Sequence, residues 1–371
     1  MSKPITATDS EARLNAICPY YTMFPLAFPL SVLDRFQTKP QIVVDPFCGR
    51  GTTAYAARML GLATAGVDSN PLATALTASK LVQVTAESVT RELRDILRRA
   101  DTKKAETPDG EFWQWAFAPR TLSTVCILRR VLCRPTDNPN RVALRALVAG
   151  ALHGPRNKGA PSYLSNQAPR TFAPKPGYAV RFWKNAKMRP VEIDVETVIR
   201  ARTARYYSHT PPLVPHHIAR ADSRTFDWTL LNRPIDLVIT SPPYWRMKTY
   251  GPDQWLRLWW LGGAPQVDYS VDNQLSHTTQ DEFVHGLASV WKSLRCACHS
   301  GSTLVIRFGT IPSAAVDAFA LLTRSLNDAG WRIDHRVDAG NARYGKRQME
   351  HFTRSRSDPV GEFDVWCSAE V

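Results

Sequence analysis

The 371-residue chain has no run of about 18 apolar residues, so no membrane-spanning helix is expected. Its opening stretch, MSKPITATDSEARLNA, is polar and lacks the apolar core of an export signal, which makes the cytoplasm the expected compartment. Cysteine is sparse and unpatterned. The seven residues, at 18, 48, 126, 133, 296, 298 and 367, form neither a disulfide framework nor a zinc spacing. Cys296 and Cys298 are the closest pair, and no second Cys or His pair at ligand spacing answers them, so no metal is expected. The most informative absence is of acids. Residues 138–191 hold ten Lys or Arg and not one Asp or Glu, and residues 84–214 hold 23 Lys and Arg against 11 Asp and Glu. With a formal charge of +14 and a pI near 9.7, most of the positive charge is concentrated in that stretch. A solvated helix face normally mixes both signs, so an acid-free run of this length favours contact with phosphates.

What is present is a β-α rhythm, interrupted once. QIVVDPF (41–47) reads as a short strand entering the Gly-rich turn CGRG. The helical pattern TTAYAARML follows and closes at Gly61. ATAGVD (63–68) is a second strand ending on an acid, and Asn70-Pro71 opens the helix LATALTASK. Two successive units of this kind predict a parallel sheet. Between 84 and 214 come helical segments, ESVTRELRDILRR and RVALRALVAGAL, and then a Pro-rich polar stretch, GAPSYLSNQAPRTFAPKPGYAVRFW. Strand patterns resume with HHIARAD (216–222), IDLVITS (235–241) and GSTLVIRFG (301–309), and WRIDHRVD and FDVWCSA close the sheet antiparallel. The expected layout is one α/β domain, with a cofactor half at 1–83 and a catalytic half at 215–371, around a basic insertion at 84–214.

In an open parallel sheet, ligands bind beyond the carboxyl ends of the strands, so the residues just past each strand carry the chemistry. Gly49 and Gly51 permit a tight turn and close backbone approach, and Asp68 ends the second strand where ribose hydroxyls would sit. No G-K-[ST] follows the glycines, which disfavours a Walker-type phosphate site. Pro242-Pro243 ends the strand DLVIT with a rigid extended turn, presenting Ser241, the Pro242 carbonyl and the Tyr244 ring to one point. A planar base could stack on Tyr244, and on Trp245, while its amino group donates to Ser241 and Pro242. A plain strand terminator with a core tyrosine is the alternative.

DPFCGRGTT (45–53) resembles motif I, and TSPPY (240–244) resembles catalytic motif IV, of the DNA amino-methyltransferases, which methylate cytosine N4 or adenine N6. MFPLAFPLSVLDRF (23–36) resembles the helix that closes over the methionine end of the cofactor. The resemblance implies a Rossmann-like class I methyltransferase sheet, mostly parallel with an antiparallel final strand, that uses S-adenosyl-L-methionine. It implies cofactor contacts at Phe24, Asp45, Pro46, Phe47, Gly49, Gly51, Thr52, Asp68, Ser69 and Asp222, and catalytic roles for Ser241, Pro242, Pro243 and Tyr244. Asp222 matches the acid near the adenine amino group, although it would equally cap the segment that follows. The segment order departs from the common one, because the cofactor motifs come first and the insertion lies between Asp68 and Asp222.

The expected partner is double-stranded DNA, with a cognate restriction endonuclease as a further partner the family allows and a nucleoid-associated location. The target base must leave the stack for its amine to be reached. Arg156, Lys158, Arg170, Lys175, Arg181 and Lys184 interleave with Tyr163, Phe172, Tyr178, Phe182 and Trp183 as candidate DNA contacts, and half of those aromatics are equally a core for the insertion. Residues 340–352, GNARYGKRQMEHF, are either a DNA-backbone contact or a solvated hairpin. The stripe Trp255, Trp259 and Trp260 reads as core, His153, His216 and His217 as structural, and Asp253 as a minor site candidate. In the family this chain resembles, Ser at the motif's first position goes mostly with cytosine N4, so the resemblance implies cytosine N4 as the expected target and adenine N6 as the alternative. An RNA base methyltransferase and a non-catalytic DNA-binding relative are the other readings.

Overall fold

The computed structural model describes residues 5–20, 24–100, 106–154, 163–166, 175–246, 250–270, 274–310, 316–341 and 361–369. Its frame is a seven-stranded sheet in the order β3-β2-β1-β4-β5-β7-β6. The strands are β1 (Ile42–Asp45), β2 (Ala63–Asp68), β3 (His216–Arg220), β4 (Ile235–Thr240), β5 (Cys298–Gly309), β6 (Trp331–Asn341) and β7 (Gly361–Ala369). β7 pairs antiparallel with both β5 and β6, and the β1–β5 pairings are all parallel. The mixed α/β sheet with an antiparallel final strand is therefore as the sequence pattern predicts.

Side chains alternate across the sheet and divide the core in two. Val43, Leu237, Ile239 and Val305 face one layer, and Ile42, Val44, Val238, Leu304 and Ile306 face the other. Helices α13 (Gln280–Arg295) and α14 (Ala318–Asn327) cover the second face. The first face is covered by α2 (Ala27–Leu33), α3 (Thr52–Met59) and α4 (Pro71–Ser79), reached from the short α1 (Asp9–Asn15). Asn70 caps α4 by accepting the Leu72 N–H, and Pro71 occupies its first turn, where no N–H is required.

Residues 84–214 contribute α5 (Ala86–Arg99), α6 (Glu111–Ala116), α7 (Pro119–Leu132), α8 (Pro139–Ala151), α9 (Pro176–Asn185) and α10 (Val195–Tyr206). Their apolar faces join the first core layer; they do not close a core of their own, and α8 packs directly on α4. Within the stretch that reads as Pro-rich and polar, α9 begins at Pro176: the fixed φ of proline starts the helix, and Ala179, Val180 and Trp183 bury one face. After β4 come α11 (Tyr250–Asp253) and α12 (Trp255–Trp260). The α12 tryptophans are core, each no more than 2% exposed, and Trp255 and Trp259 pack on Trp113 of α6.

A single guanidinium fastens this helical layer to the sheet. Arg58 in α3 is fully buried, and all five of its N–H donors are used. Nε donates to the Pro212 carbonyl, Nη1 to the carbonyls of Lys80 and Val82, and Nη2 to Gln83 Oε1 and the Pro211 carbonyl, at 2.6–3.0 Å. The chain leaving at 80–83 and the chain returning at 211–212 are thereby held side by side, so the long excursion between them costs the sheet little. Truncation would strand four backbone carbonyls without donors. Arg58→Ala should lower unfolding stability by about 3 kcal/mol or more, read by chemical denaturation, with Arg58→Lys recovering only part of the loss.

Candidate active site

β1 and β4 are neighbours at the point where strand order reverses, which is where an open α/β sheet forms its ligand crevice. The two conspicuous turns leave from these two strands. They are stitched together: Thr240 Oγ1 donates to Asp45 Oδ1 at 2.7 Å, and Thr53 Oγ1 donates to the Ile239 carbonyl at 3.1 Å. Beyond the strand ends lies a 630 Å³ cleft whose lining includes Phe47, Gly49, Asp68, Asp222, Ser241 and Pro243. Ser69 also faces it. Residues from both halves of the sequence thus converge on one cavity.

The glycine turn is built by acids and by close packing. Asp68 Oδ2 accepts the Gly49 N–H at 2.9 Å and its Oδ1 accepts the Asn70 N–H at 2.9 Å, so one carboxylate joins the ends of β1 and β2. Gly49 and Gly51 both adopt positive φ. A Cβ on Gly51 would lie 2.6–2.8 Å from Thr77, so that glycine serves the approach of α4 rather than ligand contact. Lys80, buried with no carboxylate among its partners, donates to Asn15 Oδ1 at 2.8 Å and to the Arg50 carbonyl, and its burial holds its pKa well below the usual lysine value.

Several expected contacts lie behind the cleft. Asp45 is fully enclosed, Thr52 is buried at the first position of α3 and accepts from Arg50 Nε, and the Pro46 carbonyl accepts from the Ser223 hydroxyl. Phe24 packs edge-on to Phe28. Asp222 does not present a free carboxylate: Arg224 binds it through Nε at 2.9 Å and through Nη2, which holds its pKa below the usual range, and it also accepts the Arg224 N–H. Tyr244 departs most from the expected stacking role. It is only 8% exposed, packs edge-on to Phe308 and donates its hydroxyl to Glu362 at 2.7 Å. Trp245 is likewise core, against Phe283. A strand followed by Pro-Pro directs these rings back over the sheet, because the core there has aromatic partners for them.

Sequence patterns gave no sign of Tyr20, Arg220, Arg224 or His277, all of which line the cleft. Arg246 adopts φ +63 just past Trp245, and its N–H donates to His277 Nδ1 at 3.1 Å, tying the second turn to the segment before α13. That pairing joins residues 31 apart and has no local signature. Of the basic candidates, Lys175 just before α9 and Arg181 and Lys184 on it are exposed, with Lys184 paired to Glu111. Arg156, Lys158 and Arg170 lie outside the described residues, as does most of 340–352. Among the described residues no group of three or more His, Cys, Asp or Glu is placed to hold a metal ion, and no helix is long and apolar enough to cross a membrane.

The strand order defines a Rossmann-like α/β protein with a cleft at the switch point of its sheet. Residues 4–78, which span the glycine turn and Asp68, match the family model described as DNA methylase. No curated protein sequence matches the chain. Among solved structures it is similar to the rRNA methyltransferase aviRa from Streptomyces viridochromogenes, at 14% identity and TM-score 0.39 over 99% of this chain and 95% of that one. It is also similar to a SAM-dependent methyltransferase from Methanosarcina mazei, at 8% identity and TM-score 0.34 over 94% of this chain and 99% of that one. The glycopeptide N-methyltransferase MtfA complexed with S-adenosyl-L-methionine gives 9% and 0.35, over 95% and 96%. Likenesses this distant carry no argument about function.

Burial pushes the Asp45 carboxyl up to about 6 despite its bonds from Thr240 and Phe47, and its Oδ2 has no hydrogen-bond partner among the described residues. An aspartate whose folded pKa lies above its unfolded value of about 3.9 favours folding most below the unfolded pKa, and that benefit is lost as pH rises through about 6. Relative to Asp45→Asn, the wild-type protein should therefore gain about 1 kcal/mol between pH 7 and pH 5, measured by denaturant titration at each pH.

Proposed function

We propose that the protein is a DNA amino-methyltransferase that moves a methyl group from S-adenosyl-L-methionine to the exocyclic N4 of cytosine. The observation that carries this reading is the convergence of Phe47 and Gly49 from the first turn with Ser241 and Pro243 from the second, on adjacent strands, on one cleft. The DNA methylase match over the cofactor half, and the concentration of positive charge in 84–214, support DNA as the substrate. Adenine N6 is the alternative target.

The residues present fit the cofactor. Asp68 lies on the cleft wall with only one N–H bonded to each carboxylate oxygen, which leaves lone pairs for ribose hydroxyls. Gly49 keeps the floor low, and Phe47 and Tyr20 offer apolar surface for an adenine ring. When bound, S-adenosyl-L-methionine supplies an electrophilic methyl on a sulfonium. The protein's own part is to make a weak nucleophile reactive. An exocyclic amine on a nucleobase is poor because its lone pair is delocalised into the ring. Accepting its two hydrogens at Ser241 Oγ and at the Pro242 carbonyl would localise that pair and aim it along the attack line. The rigid Pro-Pro turn holds both acceptors without further ordering. Tyr244, locked by Glu362 and Phe308, would act as the wall that sets the turn's position.

Labelled methyl from S-adenosyl-L-methionine should appear in mixed-sequence DNA, and nucleoside digestion with mass spectrometry should identify N4-methylcytosine. N6-methyladenine would transfer the assignment to the alternative, and label in tRNA alone would overturn the DNA reading. Ser241→Ala should lower the transfer rate roughly a hundredfold with cofactor affinity unchanged.

Burial also raises the Asp68 carboxyl to about 6. As pH falls through that value the carboxylate is lost as an acceptor, so cofactor affinity measured by calorimetry should fall between pH 7 and pH 5. Asp68→Asn should bind weakly across this range with little pH dependence.

A further inference from the structure

Tyr269 is 62% exposed, and among the described residues Tyr178, at 42%, is the other exposed Phe, Tyr or Trp ring. It stands at the apex of a turn closed by the Ser270 N–H donating to Asp268 Oδ1 at 2.8 Å. Asp268 and Ser270, its two neighbours, both line the cleft, so the ring belongs to the cleft's rim. The ammonium of Lys175 lies 5.3 Å from the ring centroid. Lys175 is the residue before α9, and this contact joins the basic helical layer to the site. While Ala179, Val180 and Trp183 are buried, α9 exposes Tyr178 at 42% and Arg181 beside Lys175. The carboxylate nearest in sequence, Asp268, is engaged by its own turn through Oδ1.

An exposed ring with a cation over it, on the lip of a cleft and continuous with a basic helix face, has the makings of a strand-binding platform. Bases stack on the ring whatever their sequence, and the cation meets the phosphate. Tyr244 and Trp245 are enclosed, so the site has its exposed aromatic surface on the rim instead. We propose that Tyr269 stacks on a nucleobase of the bound DNA strand at the mouth of the cleft, and that Lys175 contacts the same strand's phosphate, leading the backbone onto the exposed face of α9. This rests on the DNA methyl-transfer reading.

The test is fluorescence anisotropy of a labelled mixed-sequence DNA single strand and its duplex across a salt series, alongside methyl transfer, with the full-length protein. Tyr269→Ala should weaken single-strand binding about tenfold or more without altering the salt slope, while Tyr269→Phe, which keeps the ring, should bind as the wild type does. Lys175→Gln should reduce the salt slope by about one and leave the stacking contact in place. An unchanged melting temperature and cofactor affinity would mark Tyr269→Ala as folded, as its exposure leads us to expect. If the wild type binds and methylates DNA but Tyr269→Ala binds equally well, the stacking assignment is overturned and the methyltransferase reading stands. If the wild type neither binds nor methylates DNA, both fall together. A loss on Tyr269→Ala confined to an RNA probe of the same sequence would overturn DNA as the occupant.

Discussion

The site depends on the bond between Thr240 and Asp45. It crosses from β4 to β1 where the order of the parallel strands turns back, and it joins residues 195 apart in the chain. Putting a carboxylate there is costly, since Asp45 is enclosed and its second oxygen has no hydrogen-bond partner among the described residues. The arrangement persists because the surrounding sheet over-determines it: β1 is paired on both sides, and Thr53 adds a second link to the Ile239 carbonyl. With the strand ends locked, both turns leave in fixed directions, and the cleft follows from that geometry.

A second constraint decides what stands beside the cleft. Arg58 collects the carbonyls of 80, 82, 211 and 212, so the helical excursion begins and ends at one spot on the sheet. From there α8 lies on α4, and α12, which follows the second turn, packs into the helical layer. Buried Arg257 of α12 donates to the carbonyls of Ala149 and His153, and Trp260 Nε1 donates to the Arg145 carbonyl. The basic helices are thus tied through α12 to the segment that follows the Pro-Pro turn, and Lys175, just before α9, meets the cleft rim at Tyr269. A long basic segment set between β2 and β3 in sequence thus packs, in space, against α12, whose Leu258 lines the cleft.

The two acids at the strand ends divide their tasks. Asp68 accepts the Gly49 N–H and so holds the glycine turn, while still facing the cleft. Asp222 is bound by Arg224 two residues on, which places a neutralised pair at the edge of the cleft. The difference follows from local sequence: Asn70 offers a backbone N–H to one acid, and Arg224 offers a guanidinium to the other.

Periodicity and turn chemistry were enough to locate the strands and the helices α3, α4, α5 and α8. Gly-rich and Pro-Pro turns at strand ends picked out which loops form the cleft, because φ restrictions and the alternation of apolar residues are local properties. The Asn70-Pro71 start of α4 and the core placement of the α12 tryptophans were legible for the same reason. Contacts between residues far apart were not. Whether the ring of Tyr244 lies in the cleft or against Phe308 depends on what β5 and β7 place beside it. That Gly51 yields to Thr77, that His277 accepts from Arg246, and that Tyr269 meets Lys175 are likewise consequences of packing between distant segments. The sequence by itself determined the sheet, its turns and the chemical types offered at its edge; only the tertiary structure decided which of those side chains face the cleft, because orientation is set by neighbours that local pattern does not encode.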